Sequence, residues 1–242
     1  MRNSPAVLVL LYSSALFAHT VRVPFVGCAQ DGQAGPVPAP KGTDELVRID
    51  ARAAHKLAFY TTGRGFGVLA PRGWFCFGNY GSSSNELFAS PRPIKAGDLF
   101  PPDWSGIEGP AVELDATEGG GSGTAMVAEV WARVFPAYRP LVQGLINSGD
   151  LQAGLYIFAP YPNDKLIVQT ARLVQFQTPP HSEGLGTMSR LKANDDPVDG
   201  VAILEGPTPN LPMLRVRLPL KQRDLAPAII QQLLLRQRSD TR

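Results

Sequence analysis

The sequence predicts an α+β fold: an antiparallel sheet packed with helices and finished by a C-terminal helix. Three observations predict it. Aromatic and apolar side chains alternate with period two along 66–78, two helical stripes broken by proline follow over 127–146, and a third stripe closes the chain at 224–238. A strand, a helix, a long run of strands and a closing helix is the order of an α+β domain, and no internal repeat competes with it.

At 242 residues, 44% hydrophobic and 18% charged, the chain is long enough for one large domain or two small ones, and its 24 glycines and 23 prolines demand many turns. The formal charge of +2 is accounted for by Arg2 and Arg22, which lie in the first 29 residues with no acidic residue beside them, so the remainder is neutral. A neutral body lacks the clustered Lys and Arg that neutralise phosphates, which argues against a general nucleic-acid partner.

From the N-terminus, Arg2 followed by the mostly apolar run Ala6 to Ala18 fits the h-region of a secretory leader and is too short to span a bilayer. Gly27 and Ala29 have the small-x-small spacing of a signal-peptidase site, so 1–29 reads as the leader. Phe25-Val26-Gly27-Cys28 resembles a bacterial lipobox, whose Cys receives lipid, although Phe25 and Val26 stand where Leu and a small residue are usual. Membrane association is expected only through the leader or a lipid at Cys28, and a single acyl chain anchors marginally. With Cys28 cut away or lipidated, Cys76 has no intramolecular partner, so disulfide stapling is not expected. Residues 30–43 contain three prolines and no apolar periodicity and read as a disordered tether. A single folded domain then runs over 44–238, followed by a disordered tail at 239–242.

Leu46 to Ile49 reads as a short strand, and Asp50 as the cap of a helix over Ala51 to Phe59, supported by Ala53, Ala54, Leu57 and Ala58. In the central stretch Phe66, Val68 and Ala70 alternate with Gly67 and Leu69, and the pattern resumes with Trp74 and Cys76 against Phe75 and Phe77. Pro71 cannot donate to a ladder, so Pro71 to Gly73 is a bend joining two strand halves. Asn79 to Asn85 reads as a polar turn and Glu86 to Ser90 as the returning strand. Residues 91–110 form a proline-rich surface loop that tucks Trp104 onto the core. Val112-Glu113-Leu114-Asp115 alternates as a half-buried strand. Val127, Val130, Trp131 and Val134 mark one helix and Leu141, Val142, Leu145 and Ile146 another, separated at Pro136 and Pro140 and stopped by Asn147-Ser148-Gly149. Leu155 to Ala159, Lys165 to Phe176, Val201 to Leu204 and Leu214 to Leu218 read as strands, the last with a basic outer face. Leu225, Ile229, Ile230, Leu233 and Leu234 form the closing stripe, capped by Asp224.

The segment Phe66-Gly67-Val68-Leu69-Ala70-Pro71-Arg72-Gly73-Trp74 resembles the "Phe, apolar, Pro, x, Gly, Trp" opening of the Mog1/PsbP-like fold. The resemblance covers about nine residues and implies an architecture, an antiparallel sheet packed with helices in a sandwich. It implies no activity, because members of that fold do many things.

Familiar chemistries fail on spacing. Gly63-Arg64-Gly65-Phe66-Gly67-Val68 lacks the third glycine of a dinucleotide loop and runs into a strand. Ser122 has Thr124 where a hydrolase elbow needs a glycine two residues on, and Asn194 to Gly200, with Asp195, Asp199 and Gly200 in place for a calcium loop, has Pro197 and Gly206 where further ligands belong. With His55 and His181 the only histidines beyond the leader, no metal site and no cofactor are expected. Cys76 with His181 or His55 is the one enzymatic set of the right residue types. Against it, Cys76 lies between Phe75 and Phe77, where a thiol is buried and inert. What remains is binding: Arg72, Trp74, Tyr80, Trp104 and Tyr161 fall at turns or strand ends and are candidates to line a groove for a sugar, peptide or lipid head group. The expectation is an exported periplasmic or extracellular module that binds an envelope component or small ligand without catalysis of its own. The alternative is a thiol-dependent hydrolase.

Overall fold

The computed structural model describes residues 19–63, 66–94, 106–206 and 209–240. Among them the elements run β1 (His19–Val23), β2 (Phe25–Gly27), β3 (Gln30–Gly32), β4 (Glu45–Ile49), α1 (Ala51–Ala54), β5 (Leu57–Gly63), β6 (Phe66–Pro71), β7 (Phe75–Tyr80) and β8 (Ser84–Ser90). They continue with β9 (Ala111–Thr117), α2 (Thr124–Val134), α3 (Arg139–Ser148), β10 (Lys165–Gln169), β11 (Leu173–Thr178), β12 (Val198–Ile203), β13 (Leu211–Arg217) and α4 (Ala226–Asp240). The chain is α+β, dominated by antiparallel pairing, and carries a C-terminal helix.

An eight-stranded sheet ordered β10-β11-β12-β13-β9-β8-β7-β3 is antiparallel throughout except where β3 lies parallel to β7. A three-stranded sheet, β2-β5-β6, and a β1-β4 pair complete the β structure. Alternation sorts the large sheet's side chains onto two faces. On one, Leu87, Val112, Leu114, Val201, Leu214 and Val216 pack with Leu57, Tyr60 and Leu69 of the small sheet and with Ile229 and Leu233 of α4. On the other, Val174, Phe176, Ala202 and Met213 lie in one cluster with Val127, Val130, Trp131 and Val134 of α2. The sheet is therefore the middle layer of three.

The bend at Pro71 to Gly73 is a corner between sheets rather than a joint within one strand, since β6 belongs to the small sheet and β7 to the large one. Gly73 adopts φ 79°, a left-handed conformation that favours glycine. The buried Tyr60 hydroxyl pins the corner: it donates to the Pro71 carbonyl at 2.7 Å and accepts from the Trp74 amide at 3.1 Å.

Several expectations are corrected. Strands are already present ahead of Asp44, from His19 on among the described residues. The supposed end of the leader forms β1, paired residue by residue with β4, and β2, parallel to β5. The supposed tether contributes β3 and closes on itself through the Gln30 and Val37 amides and carbonyls. Residues 1–18 lie outside the described residues. Asp50 does cap a helix, accepting from the Arg52 amide at 2.8 Å, but that helix ends at Ala54. Leu57, Ala58, Phe59 and Tyr60 are all buried, and a segment apolar on both faces finds its ladder against β6.

Lys165 to Phe176 is a hairpin rather than one strand; the Thr170 hydroxyl accepts from the Leu173 amide at 3.0 Å and turns the chain between β10 and β11. Leu155 to Ala159 is irregular: Leu155 and Ile157 are 61% and 52% exposed while Tyr156 and Phe158 pack inward. Asp224 pairs with Lys56 at 3.1 Å and lies in a 3-10 turn, Leu220–Leu225, ahead of α4. The expected break between α2 and α3 and the stop at Gly149, with φ 85°, are both present. The basic face of β13 is not exposed: Arg215 and Arg217 are 2% and 0% accessible.

Candidate functional site

The segment after β1 straps the two sheets together. β2 runs beside β5, the Cys28 amide donates to the Thr61 carbonyl at 2.8 Å, and one residue later the Ala29 carbonyl accepts from the Gly78 amide of β7 at 2.8 Å. Glycine is required where the strap passes closest, since a Cβ on Gly32 would sit 2.0 Å from the Tyr80 carbonyl oxygen. A disulfide between Cys28 and Cys76 fastens the crossing.

That bond corrects two expectations. Cys76 has a partner, and disulfide stapling is part of this fold. With both sulfurs in the bond, Cys28 offers no thiol for a lipid and Cys76 no thiolate for a nucleophile. His181, the expected base, sits on an exposed loop with its Nε2 at 2.9 Å from Asp195 Oδ1. His55 is the exposed residue that ends α1.

Between the strap and the β5–β6 hairpin lies a cleft of about 660 Å³, lined by Gln30, Val37, Thr62, Phe66, Tyr80 and Asn85, with Ala34 and Gly63 at its margin. Tyr80 closes β7, and its hydroxyl donates to the Gly35 carbonyl at 2.7 Å, which fixes the strap's turn over the cleft.

Of the predicted ligand-binding residues that are described, Tyr80 alone lines this cleft. Arg72 is structural, its guanidinium donating to the Leu57 and Ala54 carbonyls at 2.9 Å each and so closing the end of α1 onto β5. Trp74 is half-buried against the small-sheet core at the opposite end of β7. Tyr161 belongs to the α2 side of the large sheet, its ring 3.7 Å beneath the Arg133 guanidinium and its hydroxyl 3.4 Å from Glu129. Trp104 lies outside the described residues.

On the α2 side of the large sheet, alternation places a buried charged row. Reading across in register, Asn79, Glu86, Asp115 and Met213 face one another on β7, β8, β9 and β13; the next row is Phe77, Phe88, Glu113 and Arg215. Arg215 bonds Asp115, stands 3.3 Å from Glu113 and donates from Nε to the Leu185 carbonyl at 2.9 Å. Burial pushes the Asp115 carboxyl up to about 7, against the pull of Arg215, with the Glu113 carboxylate pushing further. Burial and Glu113 raise Glu86 as well. Three carboxyl groups around one guanidinium thus keep a proton at the acidic side of neutrality. Arg217 has carbonyl partners only, at Gly109, Ile107 and Lys192, and burial draws its guanidinium down to about 10.

The sequence reading missed this row because Val112-Glu113-Leu114-Asp115 alternates as a half-exposed strand does. It missed Gln30 and Asn85 because nothing local marks a polar turn residue as part of a cleft. Among the described residues, no group of three or more His, Cys, Asp or Glu side chains is placed to hold a metal ion. The charged row is buried, whereas the Tyr80 cleft is open and is the candidate for contact with a ligand. Comparison with models of known protein families, with curated proteins and with solved structures finds no match to this chain.

Proposed function

We infer that the chain is an exported binding or accessory module of the cell envelope, acting through recognition rather than catalysis. The observation that carries this reading is the Cys28–Cys76 disulfide, which clasps the strap beside the open cleft. Disulfides of this structural kind persist in oxidising compartments outside the cytosol. The apolar run Ala6 to Ala18 behind Arg2 supplies the matching export signal. None of the described helices is long and apolar enough to cross a membrane. The thiol-hydrolase alternative loses its nucleophile to the same disulfide. The Mog1/PsbP-like resemblance of Phe66 to Trp74 stays within this reading as a scaffold on which many binding roles are built.

The reading also moves the processing point. Val23 and Cys28 are core residues, so in this reading a leader is removed ahead of Val23, not after Ala29. Intact-mass spectrometry of the protein from its own cells tests all of this. The expected species begins upstream of Val23, carries no lipid and has both cysteines oxidised. A cytosolic protein beginning at Met1 with two free thiols would reject export.

A further inference from the structure

The lining of the Tyr80 cleft selects among ligand classes. Among the described residues that line it, none is charged. A phosphate, carboxylate or ammonium group there meets no counter-charge among the described lining residues, and an ion taken from water without one is strongly disfavoured. The lining is not purely apolar either. Gln30, Thr62 and Asn85 carry carboxamides and a hydroxyl, and none of the three side chains hydrogen-bonds another of the described residues. A carboxamide offers two donors and two acceptor sites, and a hydroxyl one donor and two, so the cleft presents both kinds side by side. A hydrocarbon chain would leave these groups desolvated and unpaired.

The β3 edge offers a peptide little to hold. Peptides are captured at strand edges through main-chain bonds. Here β3 is the outermost strand of the large sheet, but its free edge is already used. The Gln30 amide donates to the Val37 carbonyl at 3.0 Å, the Val37 amide returns to the Gln30 carbonyl at 2.8 Å, and the Gly35 amide bonds the Gly32 carbonyl at 2.9 Å. The Gln33 amide is likewise taken by the Tyr80 carbonyl.

Two aromatic rings and three uncharged hydrogen-bonding side chains around one cleft remain. We propose that this cleft binds a neutral saccharide. Sugar rings combine apolar C–H faces, which lie on aromatic side chains, with hydroxyl groups that both donate and accept. Phe66 and Tyr80 supply the rings, and Gln30, Thr62 and Asn85 the polar partners. The volume of about 660 Å³ suits a short oligosaccharide, within the usual range of roughly 300–1,000 Å³ for small-ligand sites. This assignment rests on the binding-module reading above and names its ligand class.

The test is saturation-transfer NMR with isothermal titration calorimetry on the disulfide-bonded protein. The neutral probes are chitotriose, cellotriose, maltotriose and mannotriose. Trigalacturonate, trialanine and decanoate serve as the charged, peptidic and apolar comparators. At least one neutral trisaccharide is expected to bind in preference to the comparators, with about a tenfold loss of affinity in Asn85→Ala and in Gln30→Ala. Asn85 is exposed, so its substitution leaves the fold intact, and an unchanged melting temperature confirms that the loss is local. Trisaccharide binding unaffected by both substitutions overturns the site. A comparator that binds where the neutral sugars do not, and that weakens in Asn85→Ala, overturns the saccharide class and leaves the binding module standing. If no probe of any class binds and the protein from cells carries no small molecule, both readings fall together.

Discussion

Glu86 and Asp115 stand directly opposite one another on neighbouring antiparallel strands, and both are buried. Glu113, two residues along, adds a third carboxyl group to a site with Arg215 as its bonded guanidinium. The folded chain therefore keeps protons that the unfolded chain releases. Asp115 titrates near 7 when folded and near 3.8 in its ordinary state. Between those values the folded state binds more protons, so its stability is full below about pH 4, falls as pH rises towards 7 and levels above it. Urea midpoints measured from pH 4 to 8 check this, and Asp115→Asn should flatten the profile. A midpoint that climbs steadily from pH 4 to 7 and keeps its slope in Asp115→Asn would contradict the assignment.

Replacing Arg215 by Met strips the guanidinium from Glu113, which has no exposure to water and whose Oε2 already lacks a hydrogen-bond partner. Breaking a buried pair from one side costs about 3–5 kcal/mol. Adding Glu113→Gln to the same chain removes the orphaned charge and should recover a good part of that loss. Chemical denaturation of the two single variants and the double variant measures the coupling.

The Cys28–Cys76 bond spans 48 residues, and closing a loop of that length stabilises the folded state by about 4 kcal/mol in the chain-entropy account. The double variant Cys28→Ser, Cys76→Ser should lower stability by roughly 2–5 kcal/mol. Limited proteolysis should then cut within the strap, at 24–43, before the sheets. Native oxidised protein should take up no maleimide at either cysteine, and labelling without reductant would show that the bond is not formed.

Tyr60→Phe removes one hydroxyl and two hydrogen bonds at the corner between sheets, leaving the Pro71 carbonyl buried and unpaired. A cost of about 1–3 kcal/mol is expected, with an unchanged denaturant slope because the surface exposed on unfolding stays the same. A variant as stable as the parent would mean that the corner is held by packing alone.

Much of the secondary structure was legible. The strand at Leu46 to Ile49, the Asp50 cap, the hairpin from Phe75 to Ser90, the paired helices broken near Pro136 and the closing helix all depend on local rules: alternation, capping and proline geometry. The misreadings share a cause. Leu57 to Tyr60 carries helix-forming and strand-forming residues together, and the presence of β6 as a partner settled the outcome. Lys165 to Phe176 carries Leu166, Val168, Val174 and Phe176 at even spacing on either side of the break, and the turn at Thr170 rests on a side chain reaching the amide three residues on. The candidate site was scarcely legible, since Tyr80 was the single residue of the cleft picked out beforehand as a ligand contact.

Periodicity and composition by themselves determined the α+β class, the neutral body, the apolar run behind Arg2 and the absence of familiar catalytic spacings, because each of these is a property of residues near one another in the chain. Tertiary structure alone decided that Cys28 meets Cys76, that residues 19–32 contribute three strands, that Glu113 and Arg215 are buried, and that Gln30 and Asn85 share a cleft. Each of those joins residues far apart in sequence or turns a face inward, and alternation says that a strand has two faces without saying what covers them.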